Sequence, residues 1–184
     1  MSTASVLESA DRTSLDDDSL YEIIDGQKVE VLPMGALAGR LTNRLGYFLN
    51  AHAIPAQLGE ANVENLFHLA LPVDRNRRPD LAYISYDRWP KGRHLGSEEN
   101  AWDVVPNLVA ETISPSDFME EVVEKIGEYF RAGVELVWLI LPKQQQLHVY
   151  ESPTAIRVLT KNDSLNGGVV LPQFQLPLID LFID

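Results

Sequence analysis

The chain has 184 residues, 45% hydrophobic and 23% charged, a length and mix that suit one globular domain and exclude a chain disordered throughout. With 27 acidic against 15 basic residues the formal net charge is −12, which argues against a broad basic face for gripping nucleic acid. Cysteine is absent, and with it a disulfide framework, a zinc ribbon and a thiol nucleophile.

Residues 1–19 show no sustained periodicity and read as an N-terminal arm ahead of a single domain over 20–184. The cluster Asp16-Asp17-Asp18 suits a frayed arm or a helix start better than a metal cradle. An acidic N-terminus, with no apolar run approaching ~18 residues anywhere, predicts a soluble, cytoplasmic protein without a membrane segment. From Tyr21 the sequence YEII-DG-QKVEVLP sets two short apolar runs around Asp25-Gly26, and both turn residues tolerate positive φ, so a β-hairpin is predicted. Ala36 to His52 places Leu37, Leu41, Leu45, Phe48 and Leu49 at three- and four-residue spacings, an amphipathic helix packed on a sheet. NVENLFHLALP and RPDLAYIS read as an antiparallel pair of strands joined by the charged loop VDRNRR. The segment RWPKGRHLGSEENAWD has turn residues and charge without period and predicts a surface excursion.

The apolar run Leu108 to Ile113 predicts a strand. After it, Ser114 can cap a helix, Pro115 can take the first helical position and Asp117 can close a capping box. Phe118, Val122, Ile126, Tyr129 and Phe130 form that helix's apolar stripe, and Gly133 suits a left-handed stop. Val134 to Leu141 is continuously apolar, as in a strand buried on both faces, so the unit is strand, helix, parallel strand with a right-handed crossover. LHVYES and AIRVLTK predict a peripheral hairpin, and the tail LPQFQLPLIDLFID looks too broken by proline to form a long element. The fold class is mixed α/β, of the α+β kind, with a central sheet flanked by helices.

No G-x-S-x-G and no phosphate-binding glycine loop is present, and the four histidines show no close metal-ligand spacing. The carboxylates are more informative. Asp80 opens a strand after Pro79, and Glu111 lies near the end of a mainly apolar strand, where a lone carboxylate is costly unless paired or bound to a cation. Two carboxylates from neighbouring strands, with a backbone carbonyl and water, make the oxygen-rich environment that Mg²⁺ or Mn²⁺ prefers. Lys125 stands on the margin of the helix stripe, from where its ammonium can reach the strand ends. A bland alternative stays open: Asp80 capping a strand turn, Glu111 bonded to backbone amides, and Lys125 paired with Glu121 one helical turn away. Residues 71–94 hold six basic residues, Arg75, Arg77, Arg78, Arg88, Lys91 and Arg93, against Asp74, Asp80 and Asp87; they are candidates for phosphate contacts or for a solvated loop.

From Tyr21 onward the ordered set YEIIDG, Arg78-Pro79-Asp80, VAETISPSD, EKIGEYFRAGV and VWLILP resembles the restriction-endonuclease-like Uma-two family, formerly domain of unknown function 820, a branch of the PD-(D/E)XK nuclease superfamily. The resemblance implies a restriction-endonuclease-like fold with a mixed central sheet and a metal-dependent endonuclease that hydrolyses DNA. Pro79-Asp80 then matches the PD element and Glu111 the acid of (D/E)XK, but Ile113 stands where the pattern has lysine, and Lys125 from the following helix takes that place. The implied roles are Asp80, Glu111 and the Thr112 carbonyl as ligands of Mg²⁺ or Mn²⁺, Lys125 as the catalytic cation, and Glu64 as a further acidic ligand. The expected partner is DNA, and cutting both strands suggests a homodimer. The competing expectation is a catalytically degenerate nuclease-like fold serving as a protein-interaction or regulatory module, which the net charge favours.

Overall fold

A computed structural model describes residues 19–115 and 117–183; the acidic cluster expected in the arm lies outside the described residues. The chain opens with β1 (Tyr21–Ile24) and β2 (Gln27–Glu30), an antiparallel hairpin whose turn residues Asp25 and Gly26 have φ of 53° and 73°. Helix α1 (Ala36–Ala53) follows, then β3 (Gly59–Val63), β4 (Phe67–His68), β5 (Asn76–Arg77), β6 (Leu81–Ser85) and β7 (Leu108–Thr112). Helix α2 (Met119–Ala132), β8 (Leu136–Leu141), β9 (Gln146–Tyr150), β10 (Ile156–Thr160), β11 (Ser164–Gly167), β12 (Leu171–Pro177) and α3 (Leu178–Leu181) complete it.

A six-stranded sheet in the order β10-β9-β8-β7-β6-β3 forms the centre, and within it β7 and β8 are the parallel pair. The two-residue side-chain period sorts its core into two layers. Leu81, Tyr83, Leu108, Ala110, Trp138 and Ile140 pack with Leu41, Leu45 and Leu49 of α1, while Ala82, Ile84, Val109, Val137 and Leu139 pack with Ile126 and Tyr129 of α2. The β11-β12 hairpin and α3 extend the α1 layer through Leu165, Phe174 and Leu178. A smaller sheet, β2-β1-β5-β4, lies on the α2 side, where Phe67 joins that layer's core. β7 and β8 are thus covered on both faces, as their unbroken apolar runs require.

Three sequence expectations are corrected. The run NVENLFHLALP is not one strand: Glu64, at φ 51°, turns the chain out of the large sheet, so β3 pairs with β6 while β4 pairs with β5 of the smaller sheet, and β5 itself lies in the segment read as a loop. Helix α2 begins at Met119 rather than at Ser114 or Pro115. Asp117 does reach back, accepting hydrogen bonds from Ser114 N–H at 2.7 Å and Ser114 Oγ at 2.9 Å, but this closes a turn ahead of the helix. Finally, the tail contains a seven-residue strand, β12, whose prolines stand at its second and last positions in a two-stranded ribbon, where a missing N–H is tolerated. Gly133 is the left-handed stop at φ 101°, its N–H donating to the carbonyls of Tyr129 and Phe130.

Candidate metal and phosphodiester site

The acids meet because of register. β6 and β7 pair with Leu81 opposite Ala110. One step further, Asp80 faces Glu111, and both side chains fall on the α2 side with Ala82 and Val109. Directly opposed residues of antiparallel strands have Cβ atoms about 4.5–5.5 Å apart. Asp80 Oδ2 accepts the Thr112 N–H at 2.6 Å, which tethers the carboxylate to the end of β7. The Thr112 side chain points to the other layer, where its Oγ1 lies 2.9 Å from Thr42 Oγ1.

Lys125 projects from α2 onto this pair, its Nζ 3.0 Å from Glu111 Oε1 and 3.2 Å from Glu22 Oε1. Tyr129, one turn further along α2, donates its hydroxyl to Glu111 Oε1 at 2.6 Å. Its phenol is held well above the ordinary value, first by burial and then by the charge of Glu111, so it remains a donor. Burial favours neutral Lys125, but Glu111 and Glu22 outweigh it and keep the ammonium charged. Asp80 shows the opposite balance: burial, reinforced by Glu111, pushes its carboxyl up to about 7. Glu64 contributes to that push and donates its N–H to the Asp80 carbonyl at 3.0 Å, while its carboxylate accepts the Met34 N–H at 3.3 Å.

Behind Lys125 lies an ion-pair ladder that the sequence reading missed. Arg77 reaches Glu22 Oε2 at 2.6 Å and Glu128 Oε2 at 2.7 Å, and Arg75 reaches Glu128 Oε1 at 3.2 Å and Asp25 Oδ1 at 2.9 Å. Glu22 and Glu128 are 4% and 1% exposed. The signal was available: Glu22 lies in the apolar run YEII, and Glu128 follows Lys125 by three residues on the inward side of the helix. Arg78 turns inward too, its side chain donating to the Tyr21 and Glu64 carbonyls.

The basic residues therefore do not form one track. Arg75, Arg77 and Arg78 are engaged inside the protein, against the expectation of phosphate contacts. Arg88, Lys91 and Arg93 follow the far end of β6, five residues from Asp80's end, a separation of about 17 Å. There Arg88 too is engaged by the protein, with the Val105, Pro106 and Gly133 carbonyls and with Glu135 Oε1 at 2.5 Å, while the exposed Lys91 bonds Gln57 and the exposed Arg93 stacks on Trp89 at 3.9 Å.

Among the described residues no group of three or more His, Asp or Glu converges as a metal cluster. The donor set that does converge consists of two carboxylates and a strand carbonyl. In an extended strand a residue's N–H and C=O point to the same side, so Thr112, whose N–H meets Asp80, aims its carbonyl that way as well. An all-oxygen set containing a half-buried carboxylate, pushed up by desolvation and then by its acidic neighbour, fits a hard divalent cation.

The architecture is thus a mixed sheet covered by helices, with acids at the ends of the neighbouring strands β6 and β7. The model of the Uma2 family, described as "Putative restriction endonuclease", matches residues 7–179, and the chain belongs to this family. Among solved structures, the chain is similar to a putative nuclease belonging to DUF820 from Anabaena variabilis, with 21% identity, a TM-score of 0.74, and coverage of 88% of this chain and 89% of that one. That likeness shows a shared fold. Comparison with curated proteins gives no match. No helix among the described residues is long and apolar enough to cross a membrane.

Proposed function

We propose that this member of a nuclease-like family is an endonuclease dependent on Mg²⁺ or Mn²⁺ that hydrolyses DNA phosphodiester bonds. The observation that carries the reading is Asp80 and Glu111 facing one another at the strand ends, with the Lys125 ammonium 3.0 Å from Glu111. Asp80, Glu111 and the Thr112 carbonyl would hold the cation. When bound, it supplies Lewis-acid polarisation of a phosphoryl oxygen and a more acidic water. Lys125 places a fixed positive charge where negative charge grows on the pentacovalent phosphate, and Tyr129 orients Glu111 by donating to one oxygen. Glu64 helps raise the negative potential at Asp80 and stands as a further acidic ligand. Lys91 and Arg93, exposed beyond the far end of β6, are suited to DNA backbone beyond the scissile phosphate, with Arg88 behind them holding that loop to Glu135. A homodimer would set two such sites against the two strands of a duplex, with a solution mass twice 20.6 kDa.

The test is cleavage of supercoiled plasmid with Mg²⁺ or Mn²⁺, with and without EDTA, by the wild type, Asp80→Asn and Glu111→Gln. Nicking that requires the cation and falls by about 10²-fold or more in both variants supports the reading. A second reading, a nuclease-like fold that serves as a protein-interaction module, is favoured by the −12 charge and the inward-turned arginines. Folded protein that neither cleaves DNA nor binds Mn²⁺ would remove the first reading and favour the second.

A further inference from the structure

Glu22 arrives at the site from the small sheet, far in sequence from the acids it serves. Its Oε1 lies 3.2 Å from Lys125 Nζ and accepts the Arg78 N–H at 2.8 Å, while its Oε2 receives Arg77 Nη1 at 2.6 Å. Lys125 is thereby suspended between Glu22 and Glu111 at nearly equal distances, 3.2 and 3.0 Å. The same carboxylate grips the segment Arg77-Arg78, two residues ahead of Asp80, so one side chain anchors both the cation of the site and the approach to its first acid.

We propose that Glu22 is a positioning residue that shares the Lys125 ammonium with Glu111 and so limits how far that ammonium neutralises Glu111, leaving Glu111 the charge and the second oxygen with which to bind a divalent cation. The inference rests on Asp80 and Glu111 being the ligands. Its physical content is competition for one carboxylate. Glu111 Oε1 already takes the Tyr129 hydroxyl and the Lys125 ammonium. If Glu22 is neutral, Glu111 is the remaining carboxylate in ion-pair contact with Lys125. The ammonium's hydrogen bonds and charge then fall on Glu111 alone and compete with the metal there. Residues behind a metal's ligands that set their orientation change metal affinity by about 10- to 100-fold when removed.

The experiment is calorimetric titration of the full chain with Mn²⁺ in four forms: wild type, Glu22→Gln, Lys125→Met and the double variant. Glu22→Gln is expected to weaken Mn²⁺ binding about tenfold. In the Lys125→Met background it should weaken it by about twofold or less, because the ammonium that Glu22 restrains is gone. Equal losses in the two backgrounds would overturn the inference, leaving Glu22 as bulk negative charge. Unchanged binding in Glu22→Gln would also overturn it, with the metal reading intact. A wild type that binds no Mn²⁺ would remove the metal reading and this inference together. Should Glu22→Gln fail to fold, Glu22→Asp keeps a negative charge in the buried ladder but draws it back by about 1.5 Å, out of contact with Lys125. It is expected to show the same loss; Mn²⁺ bound by Glu22→Asp at wild-type strength would overturn the positioning role.

Discussion

Lys125 is held by two buried carboxylates, and that placement decides what its removal does. Lys125→Met leaves Glu22 and Glu111 without their shared cation, so stability should fall by about 3 kcal/mol in metal-free protein, measured by urea unfolding. Cleavage should fall by about 10²–10³, while Mn²⁺ binding survives or tightens because a repelling charge has gone. Unchanged plasmid nicking by the variant would take the catalytic role away from Lys125. Asp80 gives a pH signature. Its folded carboxyl sits at about 7 against an ordinary 3.8, so the folded chain holds a proton that the unfolded chain has released. This group's contribution to stability is therefore greatest below about pH 4 and declines as pH rises toward 7. Asp80→Asn should remove that decline, raising metal-free stability at pH 8 relative to the wild type by on the order of a few kcal/mol. Added Mg²⁺ should restore part of the wild-type loss, since it favours the ionised form. Parallel stability curves for the two proteins from pH 4 to 8 would show that Asp80 is not the strained acid.

At the level of elements, the small sheet is joined to α2 by buried charge as much as by apolar packing. Arg77 links β5 to β1 through Glu22 and to α2 through Glu128, and it has few alternatives because all three groups are out of water. Arg77→Ala should therefore cost about 3–5 kcal/mol in urea unfolding, whereas Arg93→Ala, stacked at the surface on Trp89, should cost about 1 kcal/mol or less. Similar costs for the two would mean that the ladder does not hold the joint. Most of the elements were legible in the sequence because their periods are strong: the Asp25-Gly26 hairpin, α1 with Leu41, Leu45 and Leu49 inward, and the β7-α2-β8 unit with α2 stopped at Gly133. What was not legible depended on choices with no period. Glu64 is an ordinary strand residue until its left-handed conformation sends the chain to a second sheet. Ser114 and Asp117 satisfy the pattern of a helix start and are used for a turn instead. β12 was hidden because proline is penalised inside a sheet but tolerated in a two-stranded ribbon.

On the scale of the whole molecule, the six basic residues between 75 and 93 are close in sequence and divided in space. If all six met phosphates, the slope of log affinity against log salt would approach about −5; with Lys91 and Arg93 the exposed ones, it should be no steeper than about −2. Fluorescence anisotropy with duplex DNA from 50 to 200 mM salt checks this, and a slope near −5 would place the inward arginines on DNA. Asp80, Glu111 and Lys125 could be read in the chain because each is a costly charge at the edge of an apolar pattern. Glu22 could not be given its partners, since what neutralises it comes from β5 and α2, which only the tertiary fold brings near. The interior position of β7 has a consequence for the protein's own synthesis. Asp80 and Glu22 leave the ribosome early, yet β7 can complete its ladder only after α2 and β8 have emerged, because its parallel neighbour must be delivered by that crossover. A nascent chain stalled before β8 carries all four charges, Glu22, Asp80, Glu111 and Lys125, but no assembled centre. Assembly of this charged cluster is thereby postponed until most of the polypeptide has been made, a delay built into the order of the strands.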